Sequence, residues 1–120
     1  MWNETITIVR HQGWPGGVPT LLVVGPLTVL TVDEFMQAVR AEKSPTLIVD
    51  LSEVPYVDSA GIGGLINVHM SRLNSGRRFI LTGITERVRA LFKKGKVEQI
   101  LTMYPTLRAA QADLALDLAN

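Results

Sequence analysis

The stretch Leu47-Ile48-Val49-Asp50-Leu51-Ser52-Glu53-Val54-Pro55-Tyr56-Val57-Asp58-Ser59-Ala60-Gly61-Ile62-Gly63-Gly64 decides the fold. It opens on an uninterrupted apolar run, as a strand buried on both faces by helices requires. It passes through a polar loop around Pro55 and closes on Asp58-Ser59 before a glycine-rich segment. After that segment Ile62, Leu65, Ile66, His69 and Leu73 recur at helical spacing, and Ser75-Gly76 supplies a stop. Strand, loop and helix in that order make one half of a β-α-β unit.

The same alternation extends in both directions. Upstream, Thr5–Val9 alternates polar and apolar with β-branched residues, and Gly13–Pro19 reads as a loop with three glycines and two prolines. Leu21–Val24 follows as a second strand, pairing antiparallel with the first. Thr31 and Glu34 have capping-box spacing, with Leu30 and Phe35 as a hydrophobic staple, so a helix is predicted from there to about Lys43. Downstream, Phe79–Leu81 is a strand. Thr85 caps a helix with Val88, Leu91 and Phe92 inward and Gly95 as its stop; Ile100-Leu101 suggests a last strand; Thr106 caps a final helix carrying Leu107, Ala110, Leu114 and Leu118. The prediction is a single α/β domain over residues 1–120, with a mixed, mostly parallel sheet of four to five strands and about four helices. Strand order stays open.

Composition narrows the chemistry. The chain has no cysteine and only His11 and His69, far apart, so disulfides, thiolate sites and an ordinary zinc site are not expected. No stretch nears the ~20 apolar residues of a membrane span, and Met1 runs into polar residues, so a soluble cytoplasmic protein without membrane association is expected. Charge is uneven: residues 1–58 carry three basic and seven acidic side chains, whereas 72–96 carry eight basic ones against Glu86 alone. A solvated face accounts for that basic segment most simply. An acidic partner is the functional alternative, and nucleic acid is not expected without a larger aromatic platform than Phe79 and Phe92.

Enzyme motifs are missing. Ser59 is not in a G-x-S-x-G setting, and His69 lies nearly three turns along the helix on its apolar stripe, where a core-edge role suits it. No acidic pair follows the early strands to hold Mg²⁺ as in a phospho-aspartate receiver, and no phosphate loop is present. The chain therefore reads as non-catalytic, with no cofactor and no metal.

Interest centres on Ser59. Ligands and modifications collect at the carboxyl ends of strands in such folds, and a helix N-terminus tolerates a phosphate through its free N–H groups and dipole. A plain N-cap is the alternative for Asp58 or Ser59, but three glycines in a first turn cost ~1 kcal/mol each against alanine, which capping alone does not explain. Those glycines would leave the helix start open to another protein.

The run Asp50–Gly63 resembles the signature of the STAS family, in particular the bacterial anti-sigma-factor antagonists. Gly25-Pro26-Leu27 stands where that family has a G-x-L turn, and Tyr104–Ala110 resembles its last helix entry. The resemblance implies that Ser59 is phosphorylated by an anti-sigma factor acting as a serine kinase, that the unmodified form binds this partner, and that a phosphoserine phosphatase restores it. Strand-end loops at one sheet edge lie together and the glycine-rich helix start leaves them accessible, so partner contacts are expected at Thr28, Tyr56, Asp58, Ser59, Gly61 and Ile62, with Met70 or its neighbours beyond, in a monomer or weak homodimer. Asp58 would orient the loop and Gly61 would permit the turn. Many such antagonists read G-E-L-D after the second strand, where this chain has Gly25-Pro26-Leu27-Thr28. A STAS scaffold or adaptor subunit of a stress-signalling or lipid-transport complex, without a phospho-switch, is the alternative.

Overall fold

The computed structural model describes residues 4–12 and 18–119, with side chains through Leu114. Most of the Gly13–Pro19 loop and the side chain of Leu118 therefore lie outside the described residues. The elements are β1 (Thr7–His11), β2 (Thr20–Val24), α1 (Val32–Ala41), β3 (Thr46–Glu53), α2 (Ser59–Asn74), β4 (Arg78–Thr82), α3 (Glu86–Lys94), a 3-10 turn (Val97–Gln99), β5 (Thr102–Tyr104) and α4 (Leu107–Ala119). One sheet runs β1-β2-β3-β4-β5, antiparallel at β1/β2 and parallel elsewhere. Five strands and four helices match the expected class.

Alternation along β3 and β4 divides the core. Leu47, Val49, Leu51, Phe79 and Leu81 face Phe35 and Val39 of α1, Leu65 and Val68 of α2, and Val88 and Phe92 of α3. The opposite parity, Ile48 and Ile80, packs under Ala110 and Leu114 of α4. Burial on both faces is why these strands are unbroken apolar runs.

Local departures have local causes. β1 begins two residues later than expected: Ile6 is buried, but pairing with β2 starts at Thr7↔Val24. The capping box at α1 does not form. Thr31 Oγ1 donates to the Pro26 carbonyl (2.8 Å) and accepts from Thr28 N–H (2.9 Å), serving the loop rather than the helix. Leu30 is 68% exposed, so there is no staple either. Thr85 does cap α3 (Val88 N–H to Oγ1, 3.3 Å) and Thr106 caps α4 (Ala109 N–H to Oγ1, 3.0 Å). Leu91 points outward. The last strand follows Ile100-Leu101, because the 3-10 turn occupies the preceding residues.

On α2 the buried stripe is Gly61, Gly64, Leu65, Val68, His69 and Arg72, while Leu73 is half exposed. Arg72 leaves the solvated basic face for the interior, where its guanidinium donates to the carbonyls of Glu42, Ser44 and Arg78. His69 is buried beside Phe79 with its Nδ1 unpartnered; burial lowers its pKa, partly offset by a hydrogen bond with the Ile100 backbone. The folded protein thus favours neutral imidazole, whereas the unfolded chain takes up a proton near the ordinary value of about 6.5. Stability is expected to fall as the pH drops below about 6.5, down to the depressed folded value. Urea midpoints at mildly alkaline and mildly acidic pH check this, with His69→Leu flattening the slope.

Candidate functional site

The β2/β3 pairing does not stop where the strands do. A parallel bridge at Leu27↔Val57 continues it into the two following loops, with Leu27 N–H donating to Tyr56 O and Asp58 N–H to Leu27 O (both 3.1 Å). This brings residues 27–31 beside the start of α2. Gly25 lets the chain leave β2 close against the segment before β1: its φ of +118° suits glycine, and a Cβ there would lie 2.4 Å from the Thr5 carbonyl.

Asp58 is the clamp. One carboxylate oxygen accepts from Gly61 N–H (2.9 Å) and caps α2; the other accepts from Val29 N–H across the loop pair (3.0 Å). Ser59 is the first residue of α2 and is exposed. A phosphate on its hydroxyl would sit at the positive end of a helix of 16 residues. Removing the clamp with Asp58→Ala is expected to cost about 0.5–2 kcal/mol, the range for lost caps. It should also speed exchange of the Val29 amide, which hydrogen exchange by NMR reads directly.

The other expected contact residues divide by exposure. Tyr56 and Ile62 are half-buried, and Met70 is exposed about three turns along α2. Thr28 is buried at 2%, its hydroxyl donating to Glu4 Oε1 (2.7 Å) and accepting from Leu30 N–H (3.2 Å). Gly61 is buried too. Its φ is ordinary for a helix; what glycine permits is contact with Leu27, whose carbonyl oxygen would stand 2.2 Å from an added Cβ. Gly64 is filled likewise by Val32, which leaves Gly63 as the open one. The closeness bought by two of the three glycines is internal.

Sequence reading missed Val29 and Leu30, which stand 66% and 68% exposed on the neighbouring loop. An apolar pair between two threonines after a strand end was the available signal, absorbed there by the staple. It also missed Glu4, held at Thr28, and Arg87, whose guanidinium lies 5.8 Å from the Tyr56 ring centroid and ties α3 to this loop cluster. Among the described residues no cluster of three or more acidic or histidine side chains is placed to hold a metal, and no helix is long and apolar enough to cross a membrane.

A sheet with helices on both faces, and a clamped, exposed serine opening the second helix, define a small α/β domain whose distinctive surface is a loop cluster. The STAS domain family matches residues 14–110, and the chain belongs to it. An anti-sigma-B factor antagonist of Listeria monocytogenes is 28% identical over 76 residues, covering 61% of this chain and 67% of its own. The crystal structure of an anti-sigma factor antagonist from Mycobacterium paratuberculosis shares the fold with a TM-score of 0.77 at 24% identity, over 90% of this chain and 92% of that one. A sulfate transporter family protein from Wolinella succinogenes shares it with a TM-score of 0.76 at 20% identity, over 88% and 91% of the two chains.

Proposed function

We propose that this protein is an anti-sigma-factor antagonist whose binding is switched by phosphorylation of Ser59. The observation that carries the reading is the exposed Ser59 at the first position of α2, beside an Asp58 that is already committed to two amides. Unmodified, the loop cluster docks a serine-kinase-type anti-sigma factor through Ser59, Ile62, Tyr56 and the exposed Val29-Leu30 pair; Thr28 and Gly61 support that face from beneath. The bound kinase transfers a phosphoryl group from ATP to the Ser59 hydroxyl, and the complex separates. A phosphoserine phosphatase resets the cycle. The domain itself supplies shape and an acceptor hydroxyl, not turnover, and works in the cytoplasm. The curated antagonist relatives support the partner class.

The test is incubation with ATP and the anti-sigma kinases of the source organism, read by intact mass and peptide mapping. A phosphoryl group at Ser59, absent from Ser59→Ala, is the expected result. Binding without modification by any of them would replace this reading with the scaffold or adaptor role.

A further inference from the structure

At the opposite end of α2 from Ser59, about 20 Å away by helix rise, the last turns of α1 and α2 flank a half-open cavity of about 260 Å³. Arg40, Lys43, Arg72 and Arg77 line it, with Glu42 as its carboxylate. That carboxylate is engaged elsewhere: it pairs with Arg10 of β1 and accepts from Ser44 Oγ. None of the four cations forms an ion pair among the described residues.

Arg72 is 5% exposed, and its bonds are to neutral carbonyls, which satisfy N–H groups without cancelling charge. One of its Nη1 hydrogens is left over from those bonds. Arg77 stands near enough that its charge, after burial, is the next cause of the lowered pKa of Arg72, with the Glu42 carboxylate acting more weakly in the opposite sense. The two helix C-termini contribute roughly half a negative charge each and Glu42 a full one, against four cations, so positive charge remains in excess. A partly enclosed site lined by like charges concentrates counter-ions, and a multivalent anion there relieves several repulsions at once.

We infer that this cavity is a binding site for a small multivalent phosphoryl anion, held between Lys43 and Arg77 with Arg40 at its rim. The site is separate from the Ser59 face and stands whether or not that serine is a switch.

Titration of the full chain with inorganic pyrophosphate, followed by NMR at matched chloride ionic strength, tests it. Saturable shifts are expected at the Arg72 Nε–H and at the amides around residues 43 and 77. Lys43→Gln/Arg77→Gln should weaken binding about tenfold or more, since it removes two charge-assisted contacts. Arg40→Gln gives a smaller loss at a side chain on the rim. Arg89→Gln/Lys93→Gln on exposed α3 should leave binding unchanged. Shifts that do not saturate, or an equal loss in the α3 variant, would mean a diffuse ion atmosphere and overturn the site.

Discussion

Ser59→Asp is expected to lose binding to the anti-sigma partner by roughly 30-fold to several thousand-fold, the equivalent of about 2–5 kcal/mol for a buried charge left without a partner. Its melting temperature should stay close to wild type. The two effects separate because they arise in different places. At the start of α2 a negative charge interacts favourably with the helix dipole, by about 0.3–1 kcal/mol, and Ser59 is exposed, so nothing within the fold must move. Across an interface the same charge has to shed water beside the Asp58 carboxylate, whose oxygens already accept from Gly61 and Val29. Phosphoserine, with about −1.5 to −2 charges, should act more strongly in the same direction. Ser59→Ala is expected to bind yet never be modified. Calorimetry on the purified partner with the three forms checks the set, and tight binding by Ser59→Asp sinks the switch while leaving the fold untouched.

Gly61→Ala and Gly63→Ala, two residues apart, are expected to change stability in opposite directions. An added Cβ at Gly61 meets the Leu27 carbonyl oxygen at 2.2 Å and Val57 Cγ1 at 2.7 Å. The first of these is backbone held by the Leu27↔Val57 bridge, so it cannot swing aside. Either α2 lifts or the bridge opens, at about 3 kcal/mol or more, the upper part of the range for overpacking. Because Asp58 caps α2 from the same bridge, the presentation of Ser59 should suffer with it. At Gly63 nothing lies within 4 Å, and alanine should gain about 0.5–1 kcal/mol by helix propensity. Chemical denaturation of the two variants distinguishes them. If Gly63→Ala also weakens partner binding while stabilising the chain, Gly63 is where the partner's backbone approaches.

The order of elements was written in the residues: apolar runs at Leu47–Val49 and Phe79–Leu81, caps at Thr85 and Thr106, and the Asp58-Ser59 step into a helix. Each of these signals is local, because periodicity and capping act over a turn or a strand. The buried face of α2 was not legible in the same way. It consists of Gly61, Gly64 and Arg72 as much as of Leu65, Val68 and His69, and glycine and arginine carry no hydrophobic signal, so the apolar pattern marks Leu65 and His69 but runs off the buried face to Ile62, Ile66 and Leu73. What buries them is tertiary: the Leu27 carbonyl, the Val32 side chain, and three main-chain carbonyls that take the guanidinium. Strand order and the contacts beside Ser59 likewise come from pairing between distant segments. The residue at position 28 looked like a lost acid in sequence. In three dimensions its hydroxyl meets the carboxylate of Glu4, because the antiparallel pairing of β1 and β2 sets the residues before β1 beside those after β2. The sequence could place Ser59 at a helix start, since that depends on its neighbours alone; only the fold could bring Val29 to Asp58 and Arg87 to Tyr56, because those contacts join segments far apart in the chain.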